Sequence, residues 1–119
     1  MIKNEINIDR LIKVSNNDEA FIRSMLNLFI DRTPGLVNKM QEACKNQDFL
    51  QTVKLAHQLK PSVDMMGNDR LTELLFKIHE ITKSEANCKR SLELIDAYSI
   101  QTKKVIGLID EKLKQQKLI

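Results

Sequence analysis

Apolar residues recur three and four places apart along almost the whole chain, and only short polar breaks interrupt them. That spacing lays one apolar stripe along each of several helices. The composition points the same way. Among 119 residues there are 3 Gly, 2 Pro, 1 Tyr and no Trp, so the turn residues and aromatics of a many-stranded sheet are scarce. A hydrophobic fraction of 42% suits a globular core, and the length allows one domain and little more.

The pattern divides into a short leading helix at about 8–14 and a bundle of four long helices at about 17–115, as a single domain over 1–119. Asn16 and Glu19 stand at capping-box spacing and start the first long helix. Its inward set reads as Phe21, Met25, Leu28 and Phe29. Thr33-Pro34-Gly35 interrupts the run, and Leu36, Val37, Met40, Ala43 and Cys44 resume it. Either one helix kinks at Pro34 or two helices abut there. Asp48 and Gln51 repeat the capping-box spacing, and Phe49, Val53, Ala56, Leu59, Val63 and Met66 follow on one face. Gly67 stops that helix as a left-handed cap. Asn68 or Asp69 starts the next, with Leu71, Leu74, Leu75, Ile78 and Ile81 inward. Residues 83–87 form a polar break. A final helix runs from about Ser91 past Leu113, carrying Leu94, Ile95, Tyr98, Val105 and Ile109. No such helix is stable alone. The expected fold is all-α: an antiparallel up-down four-helix bundle with a short additional N-terminal helix.

Several function classes fall away. A net charge of +3, from 19 basic and 16 acidic residues, lacks the dense basic stripe of a nucleic-acid binder. No apolar run approaches the ~18 residues of a membrane span. Lys3, Asn4, Glu5 and Asp9 break any signal-peptide core, so a cytoplasmic location is expected. Cys44 and Cys88 then read as reduced thiols. His57 and His79, without thiols or carboxylates at ligand spacing, make a poor metal site, and none is expected. The chain has no phosphate-cradling Gly loop, no nucleophile elbow and no ATP-binding half of a kinase, so it does not read as an autonomous enzyme.

One reactive side chain stands apart from the core. At about 100° per residue, the apolar stripe of the third main helix centres well away from His57. That ring therefore faces solvent, with Lys60, Pro61 and Asp64 following on the same ridge. From periodicity alone, an inert surface histidine on a helical adaptor is the plainer reading. Pro61 argues for more. It has no N–H, so the His57 carbonyl loses its helical partner, and a proline tolerated one turn after an exposed His suggests a shaped surface.

Ala56-His57-Gln58-Leu59-Lys60-Pro61-Ser62-Val63-Asp64-Met65-Met66-Gly67 resembles the signature of histidine phosphotransfer (HPt) domains, roughly His-x-Leu-Lys-Gly-Ser/Ala-Ala with a closing apolar residue and Gly. Phe29, Pro34 and Leu36 upstream, and Leu71, Leu74 and Ile78 downstream, fall at the family's core positions without gaps. Residues 18–83 carry the likeness, and the closing helix shares it only in character. Two departures stand out: Pro61 replaces the usual Gly, and Val63 replaces a smaller residue.

The resemblance implies that His57 accepts a phosphoryl group from the aspartyl phosphate of a receiver domain and relays it to another receiver aspartate. Lys60 would neutralise part of the added charge. Gln58, Pro61 and Asp64, with the neighbouring face of the preceding helix, would meet the receiver. HPt relatives often carry Gln or Glu twenty-two places after the phospho-acceptor, where it accepts a hydrogen bond from the ring. His79 stands there, with Glu80 beside it as the alternative. The implied partners are response-regulator receiver domains and a sensor histidine kinase, hybrid or not, with Mg²⁺ on the receiver only and no cofactor of the chain's own. The expected state is a monomeric phosphocarrier that touches neither nucleic acid nor membrane.

Overall fold

The computed structural model of the chain describes residues 5–85 and 88–119. Five helices and no strand occur among them: α1 Asp9–Val14, α2 Glu19–Lys45, α3 Phe49–Met66, α4 Asp69–Glu85 and α5 Lys89–Leu113. Of the expected break at 83–87, residues 83–85 are helical and Ala86 and Asn87 lie outside the described residues.

Local chemistry sets the boundaries. The Asp18 carboxylate accepts the Phe21 N–H at 3.1 Å and caps α2. Asn16 does not cap as its spacing suggests. Asn16 and Asn17 instead turn the chain through the left-handed region, at φ 55 and 65, which Asn tolerates better than most residues. Asp48 caps α3 by accepting the Gln51 N–H at 3.1 Å. Such a cap contributes about 1 kcal/mol. At the other end of α3, Gly67 adopts φ 62. The next residue, Asn68, starts α4 by accepting the Leu71 N–H at 3.0 Å.

Both prolines lie inside unbroken helices, Pro34 in α2 and Pro61 in α3. The alternative of two helices abutting at Pro34 is therefore not taken. Both prolines are exposed, so the carbonyl each one orphans, on Ile30 and on His57, belongs to the solvent side of its helix.

α2, α3, α4 and α5 form a ring in which each helix packs on its two neighbours, while α1 rests on α3. The start of α2 meets the end of α5, where Arg23 donates to the carbonyls of Leu113, Gln115 and Gln116 at 2.9, 2.6 and 3.1 Å. The end of α2 meets the start of α5, where the Cys44 thiol donates to the Cys88 carbonyl at 3.4 Å. The helices therefore run up and down. Both cysteines are buried and unbridged. Burial, and then the contact with Cys88, pushes the Cys44 thiol up to about 12.

The core joins all five helices. On α2 it consists of Ile22, Leu26, Phe29, Thr33, Val37, Met40, Ala43 and Cys44. The expected stripe holds for Phe29, Val37, Met40, Ala43 and Cys44 but is displaced by one residue in the first half of the helix: Phe21 is 44% exposed, Leu28 is 37% exposed, and Met25 is half-buried. On α3 the buried set is Thr52, Leu55, Ala56, Leu59, Val63 and Met66, with Phe49 and Val53 at its margin. Each fully buried aliphatic side chain contributes about 1.5–3 kcal/mol.

Several polar side chains inside the bundle are joined to partners, although the buried Tyr98 hydroxyl has none among the described residues. The Asn68 side-chain amide donates to the Glu5 carbonyl at 3.0 Å, and its Oδ1 accepts from Gln101 at 3.2 Å. The Thr82 and Ser91 hydroxyls meet at 2.6 Å. These contacts satisfy groups that would otherwise be costly to bury.

Candidate functional site

α3 presents two opposite faces. Ala56 and Leu59 are buried, while His57, Gln58, Lys60 and Pro61 are exposed. Among the described residues His57 is in none of the side-chain hydrogen bonds or ion pairs, so both ring nitrogens remain open to solvent or to a partner. No described residue competes with an incoming electrophile for the ring's lone pair.

A groove of about 610 Å³ opens beside that ring, between α3 and α4. His57, Lys60 and Asp64 line one wall; Glu73, Phe76, His79 and Glu80 line the other. Ala56, Val63 and Leu75 form its apolar base. Phe76 is 66% exposed, a large apolar side chain left uncovered at the rim. Sequence periodicity does not single it out, because it lies one place past the inward Leu75. Its signal is a negative one: an aromatic on the solvent side of a helix that otherwise presents charge there.

The expected site residues divide between two flanks. His57, Lys60, Asp64 and His79 converge on the α3–α4 groove, whereas Gln58 and Pro61 do not line it. The helical angle explains this: Gln58 and Pro61 turn to the opposite side of His57 from Lys60 and Asp64. The groove thus lies on the α4 side of α3, not on the side of the preceding helix. On α2 the exposed Phe21 and Leu28 form a separate outward apolar stripe.

Lys60 is paired along its own helix, its Nζ 3.2 Å from Asp64 Oδ2. His79 Nδ1 lies 3.3 Å from Glu80 Oε1. Among the described residues no hydrogen bond joins the rings of His57 and His79, although both line the groove. In this structure the Nδ1 of His79 instead faces the adjacent Glu80 carboxylate. Glu73 completes the picture: a hydrogen bond from Lys77, at 2.8 Å, holds its carboxyl below the usual range. The described residues contain no group of three or more His, Cys, Asp or Glu placed to hold a metal.

The chain is thus an up-down helical bundle that presents an exposed imidazole beside an open groove, with a lysine one turn away. The family model for the Hpt domain matches residues 24–115, more than three-quarters of the chain. The chain therefore belongs to the Hpt family, phosphocarrier modules that act in phosphorelay signalling with receiver domains and histidine kinases and have no kinase catalytic domain. No curated protein and no solved structure compared with the chain gave a match. No helix among the described residues is long and apolar enough to cross a membrane.

Proposed function

We propose that His57 is the phosphoacceptor and that the chain, as one domain and as a monomer, relays phosphate from one receiver aspartate to another. The observation that carries this reading is the exposure of His57, unengaged, at the rim of the α3–α4 groove within the family-matched stretch. A ring nitrogen attacks the phosphorus of the receiver's aspartyl phosphate. The P–O bond breaks, its electron pair returns to the aspartate carboxylate, and the proton on the other ring nitrogen is released. The reverse step delivers the group to the second receiver. The receiver contributes Mg²⁺ and most of the charge stabilisation.

Lys60 supports the phosphoryl group as an exposed point charge. His79 is the candidate to orient His57. With Nδ1–H donating to Glu80, its Nε2 is the acceptor that the N–H of His57 would need, and a side-chain rotation would have to bring the rings together. The receiver docks over His57 with Gln58 and Pro61 on one flank, and with Lys60, Asp64 and the uncovered Phe76 on the other.

Incubation with a phosphorylated receiver tests the reading. Acid-labile label is expected on the parent chain and none on His57→Gln. Label retained by that variant overturns the assignment. A chain that binds receivers but never takes label is a helical adaptor.

A further inference from the structure

Among the residues that line the groove, Lys60 is the one Lys or Arg, and it is already engaged. Its Nζ sits 3.2 Å from Asp64 Oδ2, with Lys60 64% exposed and Asp64 only 27% exposed. The carboxylate is the fixed half of the pair, and the ammonium, on four methylenes, is the half that can swing. Lys60 stands three residues after His57 and four before Asp64. Both spacings bring side chains within reach on a helix face, so the two neighbours draw on one ammonium. His79 shows the same arrangement, with its Nδ1 beside the Glu80 carboxylate. Before phosphorylation, each group in the groove that could offer His57 positive charge has a carboxylate of its own.

We infer that Asp64 is a positioning residue: it holds Lys60 away from His57 in the unphosphorylated chain and competes with the phosphoryl group for that lysine afterwards. The inference rests on His57 as the phosphoacceptor and adds how tightly the phosphate is held. A phosphoryl group carries about −1.5 to −2 charge near neutral pH, more than the single charge of Asp64, so Lys60 shifts towards it. The shift is incomplete because breaking the existing pair opposes it. A carrier must release what it accepts, and Asp64 weakens the grip of the only lysine at hand.

The test separates this role from plain charge repulsion. Asp64 lies seven residues from His57, about 10 Å along the helix. That is roughly one Debye length at 0.1 M salt, where a direct effect is largely screened. The chain is phosphorylated on His57 with potassium phosphoramidate. The ring nitrogen bonds to phosphorus, the P–N bond breaks, and ammonium leaves carrying the ring's proton. The second ionisation of the phosphoryl group is then followed by ³¹P NMR in the parent, Asp64→Asn, Lys60→Met and the double variant. Asp64→Asn frees Lys60 and should lower that ionisation by roughly half a pH unit. In the Lys60→Met background the same change should do almost nothing. The equilibrium of transfer with a receiver should favour phosphorylated Asp64→Asn by roughly two- to fivefold over the parent.

An unmoved titration in Asp64→Asn overturns the inference. So does an equal shift with and without Lys60, and so does a failure of phosphoramidate to label His57. The relay reading fails separately: phosphoramidate would label His57, no phosphorylated receiver would, and the titration would still be readable.

Discussion

The two faces of α3 are built from interleaved residues and have opposite tolerances. Leu55, Ala56, Leu59, Val63 and Met66 are buried against the other helices, and no atom there can change size without moving a neighbour. His57, Lys60 and Pro61 are exposed and make little contact beyond their own helix. The comparison shows how one helix holds a reactive group steady while keeping it reachable. Rigidity comes from the inward stripe and from the two caps, and the outward ridge remains free for chemistry. Stability and transfer should therefore respond to different substitutions a single residue apart.

The largest stability effect should come from the inward face. Leu59→Ala, at a side chain with no exposure, should cost 2–5 kcal/mol, about what cavity formation costs in other cores, read as a lower urea midpoint with unchanged slope. If the loss were under ~1 kcal/mol, the claim that this stripe anchors α3 would fail. Gly67→Ala should come next. Its φ of 62 disfavours any side chain, and an added Cβ would collide with the Asn7 carbonyl oxygen. A cost of roughly 1–3 kcal/mol is expected, and hydrogen exchange should show α1 and the last turn of α3 opening together.

A smaller effect concerns pH at the far end of the bundle. Cys44 is raised from 9.0 to about 12 by burial and by Cys88, and burial also raises the Tyr98 hydroxyl above 10.0. Both groups keep their protons longer folded than unfolded. Their contribution is thus whole below pH 9.0 and declines as the unfolded chain ionises towards pH 12. Urea midpoints should be level from pH 7 to 8 and fall above 9, and Cys44→Ser should flatten the first part of that fall. Least affected should be the outward face: His57→Gln should change stability by no more than about 0.5 kcal/mol while removing phosphate uptake. A destabilised His57→Gln would mean that the two faces are not independent.

Much of this division can be read along the chain. The helix count, the Asp48 cap, the Gly67 stop and the exposure of His57 all follow from residue type and spacing. The inward stripe of α2 is harder because apolar residues come in adjacent pairs there, Phe21 with Ile22, Met25 with Leu26, and Leu28 with Phe29. Neighbours differ by only about 100° of rotation, so the first half of α2 admits either stripe. The second half decides it. Steps of three and four from Ile22 lead through Leu26, Phe29, Thr33, Val37 and Met40 to Cys44, all buried. The same steps from Phe21 pass through Arg32 and Lys39, and those charges interrupt the stripe. Tertiary polar contacts, such as Asn68 with Gln101 and Thr82 with Ser91, leave no local trace, because what makes those residues inward is a partner on another helix. The groove is similar: its two walls come from α3 and α4, and its shape exists only once they pack.

The leading segment acts as a plug. The Asn7 N–H donates to the Met66 carbonyl at 2.9 Å, Glu5 accepts from Asn68, and Ile8 and Leu11 are buried. Glu5, Asn7, Ile8 and Leu11 all precede position 24, where the family match begins. A fragment trimmed to the matched stretch would keep every residue of the histidine ridge. It would also lose the plug, the Asp18 cap and Ile22. Such a fragment would transfer phosphate poorly for a mechanical reason, the loosened end of the helix that carries His57, and an assay of the trimmed piece alone would misreport that as a fault in the chemistry.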